Sequence, residues 1–120
     1  MLLIKHPQVG KNITVQVTGV LDEELGLTAI LDVRKLAHPA EGVRLDGVIW
    51  LIQEKMGINL WWGEGELLLP LESRGATRFD YGLHNKIVDG WDGKVWMTTF
   101  NAELGILPKH FHFTLDFDRL

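Results

Sequence analysis

The chain has no cysteine among its 120 residues. That excludes thiol nucleophiles, zinc–thiolate centres and disulfide staples together. Small secreted domains often lean on disulfides, so their lack favours a reducing compartment, and the expected location is cytoplasmic. Long apolar runs are missing as well. No stretch approaches the ~18 uninterrupted apolar residues of a membrane-spanning helix. The apolar start Met1-Leu2-Leu3-Ile4, closed by Lys5, is too short for the ~7–15-residue core of a signal peptide. Positive charge is in deficit: 12 Lys and Arg against 16 Asp and Glu give a net charge of -4. The most basic stretch, Arg74 to Arg78, holds only two cations, and the one dense charge run, Asp22-Glu23-Glu24, is acidic. A nucleic-acid or anionic-membrane surface needs positive charge gathered on one face, so neither partner is expected. Serine is scarce, and Ser73 lies in no Gly-x-Ser-x-Gly frame. Gly63-Glu64-Gly65 lacks the Lys and the following helix that a phosphate loop needs. Nucleophilic catalysis and nucleotide binding therefore have no sequence support, and no cofactor is expected.

What is present reads as one soluble globular domain, 1–120. Hydrophobic residues make up 46% and charged residues 23%, ordinary values for such a domain. A chain of this length buries roughly two-thirds of the surface it exposes when unfolded, enough to fold without a staple. There is no low-complexity segment, linker or internal repeat. Glycine is the punctuation: 13 residues, about 11%, against an average near 7%. The glycines separate short apolar runs at close to the ~8–12-residue spacing of an all-β domain.

Several runs alternate. Ile13, Val15 and Val17 face one way and Thr14, Gln16 and Thr18 the other, which describes a half-buried strand. Near the C-terminus Phe111, Phe113, Leu115 and Phe117 alternate with His110, His112, Thr114 and Asp116. Gly47 to Gln53 is apolar on both faces, and with Ile58 to Trp62 it suggests a hairpin in which Gly57 supplies a positive φ. Leu67, Leu69 and Leu71 share a face, with Pro70 marking an edge or an end. Thr77, Phe79 and Tyr81 form another half-exposed strand. Asp89-Gly90-Trp91-Asp92-Gly93 carries two Asp-Gly turn signals before a return strand, Lys94 to Phe100. Thr28 to Ala37 is the one segment with helical spacing. A strand with Leu31 and Val33 inward is favoured over a short helix there. Eight or nine extended segments with short connections predict an all-β antiparallel meander closing into a sandwich or barrel.

Candidate sites are few. On a strand, His110 and His112 project from the same face and could reach one metal ion, with His84 or Glu103 as a third ligand. Their position opposite the phenylalanine row favours a plain polar outer face, so no metal is expected. Asp89 to Gly93 resembles a calcium loop only superficially, lacking the alternating oxygen ligands and the closing Glu. Glu64 and Glu66 are the carboxylate pair considered for glycosidic chemistry, and they flank Gly65 in an expected solvated turn.

Tryptophan is the unusual feature, with 5 Trp to a single Tyr. Adjacent Trp61 and Trp62 must point to opposite faces of a strand, so a large ring stands on whichever face is not the core. Trp91, between two turn signals, is expected at a loop tip. Trp50, Trp61 and Trp91 are thus the candidate interface or ligand residues. The expected function is a non-catalytic binding or assembly module, working as a homo-oligomer or as a subunit of a larger structure. Self-association is expected through Val48 to Leu51 together with Trp61, unless Thr28–Ala37 or Asn101–Lys109 covers that region. A small β-barrel holding an apolar or sugar ligand in its interior is the alternative, and a metal-dependent enzyme using His110 and His112 stands third.

Overall fold

The computed structural model describes residues 2–6, 8, 9, 12–21, 25–63, 65–100 and 109–120. In chain order the strands are β1 (Leu2–Lys5), β2 (Gln8–Val9), β3 (Asn12–Leu21), β4 (Thr28–Asp32), β5 (Gly42–Ile52), β6 (Gly57–Trp62), β7 (Glu66–Glu72), β8 (Arg74–Lys86), β9 (Lys94–Phe100) and β10 (Lys109–Arg119). The two-residue period of the sequence is realised in them. In β3, Ile13, Val15 and Val17 are buried; in β10, Phe111, Phe113, Leu115 and Phe117 are buried. In β6, Ile58, Leu60 and Trp62 point inward and Trp61 outward.

The strands form two antiparallel sheets. The larger has the order β1-β3-β10-β5-β8, with β2 also on β3, and the smaller has the order β4-β9-β6-β7. They pack face to face as a sandwich, with one cluster of buried side chains between them. Phe113, Phe117, Leu60 and Met97 are among the largest fully buried side chains. The space between the sheets is therefore filled by the protein's own core, and among the described residues no strand ladder joins the two sheets.

The connectivity is not the meander that short connections suggest. β5 lies in the larger sheet and β6 in the smaller one, so they do not form a hairpin. The same crossing separates β7 from β8 and β8 from β9. Ser73 makes the β7-to-β8 crossing alone, with φ 60, and its carbonyl accepts from the Ile52 N–H at 2.5 Å. Between β5 and β6 the left-handed residue is Lys55, φ 65, not Gly57. Gly57 serves another purpose: the Phe100 ring lies where its Cβ would be.

Thr28–Asp32 is a strand, and the chain then turns through a 3-10 helix, Val33–Lys35, capped by Asp32 accepting from the Arg34 N–H at 3.0 Å. Leu31 and Val33 are buried and Arg34 is exposed. The segment is an edge of the smaller sheet, so it does not cover an outer face. Residues 101–108 of the Asn101–Lys109 segment, with Glu103, lie outside the described residues.

A bulge shapes the larger sheet. Asp46 is an extra residue on β5 where Phe117 pairs with Leu45 and Asp116 with Gly47. Opposite it, β8 makes a wider excursion, because Leu45 pairs with Leu83 and Gly47 with Arg78. Residues 79–82 thus bow outward, leaving Tyr81 92% exposed. Gly82 has φ 69, and the Arg44 side chain occupies the place a Cβ would take. Arg44 is held from two sides: Nε donates to Asp46 Oδ1 at 2.6 Å and Nη2 to Asp118 Oδ2 at 2.7 Å. The Asp46 hydrogen bond and charge, with Asp118 beside them, raise the guanidinium pKa above its ordinary value.

Candidate interaction surface

The outer face of the smaller sheet is built from the residues whose neighbours face the core. Val95, Met97 and Thr99 of β9 are buried, so Lys94, Trp96, Thr98 and Phe100 turn outward. The same alternation in β6 turns Asn59 and Trp61 outward. Register then sets a cross-strand row. Trp61 pairs with Trp96 on β9 and with Leu67 on β7, and Trp96 pairs with Ala29 on β4. Leu67 is 49% exposed. A second row sets Thr98 beside Asn59 and Asn59 beside Pro70. These two rows carry no formal charge.

The Trp61 Nε1–H donates to Thr98 Oγ1 at 2.9 Å, which fixes the ring on the sheet. The Trp96 Nε1–H is buried without an acceptor among the described residues. The Lys94 ammonium sits 5.3 Å from the Trp96 ring centroid, within cation–π range.

The other sequence candidates lie elsewhere. Trp50 turns inward with Val48 and Ile52 and donates from Nε1 to the Glu72 carbonyl at 2.8 Å, bridging the two sheets. Trp91 is not at an exposed tip. It is only 5% exposed, and it meets Trp62 edge to face with centroids 5.3 Å apart. Both Asp-Gly glycines do take positive φ, 97 at Gly90 and 84 at Gly93, but the two turns fold the ring under the sandwich instead of presenting it. Its N–H is satisfied by the Lys94 carbonyl at 2.9 Å. Of the three tryptophans proposed for contact, only Trp61 stands on an outer face. Trp96 completes that face, and the Lys94–Phe100 alternation was the signal that places it.

Val48 to Leu51 and Trp61 do not share a surface. Ile49 and Leu51 are 58% and 59% exposed on the outer face of the larger sheet, on the opposite side of the sandwich from Trp61. His112 is on that larger face too. Its Nδ1 lies 2.9 Å from Thr18 Oγ1 and its Nε2 lies 3.3 Å from Thr114 Oγ1, so both ring nitrogens are engaged by hydroxyls. His84 pairs with Arg44, whereas His112 pairs with Leu51 toward the other end of β5. No group of three metal-ligating side chains occurs among the described residues.

A cleft of about 500 Å³ opens beside Trp62 and Trp91, with Glu66, Asn85, Asp89 and Asp92 on its walls. Glu64, the other half of the carboxylate pair, lies outside the described residues. Comparison with protein-family models, with curated proteins and with solved structures finds no match.

Proposed function

We propose that the protein is a non-catalytic assembly module, acting as a homo-oligomer or as a subunit of a larger structure through the outer faces of its sandwich. The observation that carries this is the uncharged row Ala29–Trp96–Trp61–Leu67 across the smaller sheet. Rings and aliphatic side chains set side by side on an outer sheet face are what protein contacts bury, and aromatic anchors dominate their energy. Ile49 and Leu51 give the larger sheet an apolar centre of its own. Light scattering over a concentration series tests the proposal. A mass above the 13.6 kDa protomer is expected at micromolar concentration, and Trp61→Ala is expected to weaken association by ~10-fold or more. The protomer mass at every concentration would refute the homo-oligomer.

A second reading draws on the end cleft. The carboxylates of Glu66, Asp89 and Asp92 with Asn85, around the nearly buried edges of Trp62 and Trp91, suit a carbohydrate, whose hydroxyls take polar partners while the indole edges floor the cleft. Tryptophan fluorescence titrated with a panel of oligosaccharides tests it; a saturable change supports it and an invariant spectrum counts against it.

A further inference from the structure

The larger sheet presents an outer face whose charges are arranged by strand. Pairing across β10, β5 and β8 sets three successive rows: His112–Leu51–Arg74, Thr114–Ile49–Ala76 and Asp116–Gly47–Arg78. The middle strand contributes two exposed aliphatic side chains and a glycine. In the third row an acid stands on β10 and a base on β8. Each is two strands from the other, ~10 Å between backbones, with the Arg78 side chain leaning over Gly47. Among the described residues Arg78 makes no ion pair, and the Asp116 carboxylate accepts only from the Thr14 hydroxyl, at 3.3 Å. One row further on the situation differs, since Asp118 is already paired within the chain to Arg44. The unpaired acid and base thus flank the apolar centre on opposite sides, with a hollow of about 200 Å³ at Gly47 between them.

We propose that this face pairs with the same face of a second copy, about a two-fold axis running along β5. The inference rests on the assembly reading and adds to it a second contact surface, on the larger sheet, with the partner that this surface takes. A two-fold axis in that position lays β5 of one copy over β5 of the other. It brings β10 over β8 in both directions at once. Ile49 and Leu51 then cover their own symmetry mates. Asp116 of each copy faces Arg78 of the other, so one surface supplies both halves of two ion pairs, as a self-complementary contact requires. Three strands of about ten residues, spaced ~4.8 Å apart, offer ~500 Å² on each copy. The total of ~1,000 Å² is at the low end for a specific interface, which fits a dimer in the micromolar range. Steering by the two charge pairs adds specificity to a contact whose apolar centre is small.

Charge exchange tests it. Arg78→Asp leaves the third row wholly acidic, and Asp116→Arg leaves that row wholly basic. Far-UV circular dichroism confirms folding of each variant, since both side chains are on the outer face. In sedimentation velocity each single variant is expected to self-associate at least ~10-fold more weakly than the natural chain. An equimolar mixture of the two is expected to recover the dimer, because every facing pair is then opposite in charge. If the natural chain associates and neither variant changes that, the two-fold pairing is wrong while assembly through another face stands. If the natural chain is a monomer throughout, the two-fold pairing and the homo-oligomer are both wrong.

Discussion

Trp61 and Trp96 stand opposite each other on neighbouring strands of the smaller sheet, yet only Trp61 has an acceptor for its indole N–H among the described residues. A buried donor without a partner carries its full desolvation cost, whereas a bonded one contributes about 1 kcal/mol. The two rings should therefore respond in opposite ways to the same change. Trp61→Phe should lower stability by about 1 kcal/mol, while Trp96→Phe should leave it unchanged or raise it. Urea denaturation of the two variants side by side gives the comparison; equal losses would show that the ring volume, and not the N–H, sets the outcome.

Trp91 should behave as core. Its ring lies against Trp62, which in turn meets Phe117 at 6.2 Å between centroids. Trp91→Ala should cost about 3–5 kcal/mol, the range for removing a buried aromatic ring. A loss under about 1 kcal/mol in chemical denaturation would return Trp91 to the exposed turn that its sequence context suggests.

Gly82 holds the β8 excursion in place. It combines φ 69 with the close approach of Arg44. Gly82→Ala should destabilise by about 1–3 kcal/mol, from left-handed strain and displacement of Arg44. Adding Arg44→Ala should remove the steric part, so the double variant should be more stable than the sum of the two single losses predicts. Strict additivity would mean that Arg44 and Gly82 do not share a constraint.

The two histidines of β10 should be dispensable. Paired replacement, His110→Ala with His112→Ala, should change stability by no more than about 0.5 kcal/mol, as for an outer-face pair. Elemental analysis after dialysis should find well under one zinc per chain. Near-stoichiometric zinc would promote the metal-dependent enzyme above the assembly reading.

How much of this was legible follows from what a period can encode. The alternation in Ile13–Thr18 and in His110–Phe117 fixes which side chains meet the core, and the structure buries those. Adjacent Trp61 and Trp62 were bound to separate for the same reason. A period does not name a strand's neighbour. β10 is last in sequence yet sits between β3 and β5, where Phe113 pairs with Val17 on one side and Trp50 on the other. Long-range packing decides that placement. The crossing at Ser73 reads as an ordinary turn, because one left-handed residue looks alike whether it joins strands of one sheet or of two. Gly57 shows the same ambiguity: glycine marks a place where a side chain is excluded, and here the excluder is Phe100 and not the turn. The separation of Ile49 and Leu51 from Trp61 follows from the missed crossing between β5 and β6. Both were correctly placed outward, but on faces that the sandwich turns away from each other.

Sedimentation equilibrium of the natural chain, from sub-micromolar to high micromolar concentration, addresses assembly most directly. Assembly through the outer faces predicts a weight-average mass that climbs from the 13.6 kDa protomer to at least twice that value, with a midpoint in the micromolar range. A single species at the protomer mass across the whole range would contradict it, and would leave the apolar rows of both sheets as bare solvent-facing surface.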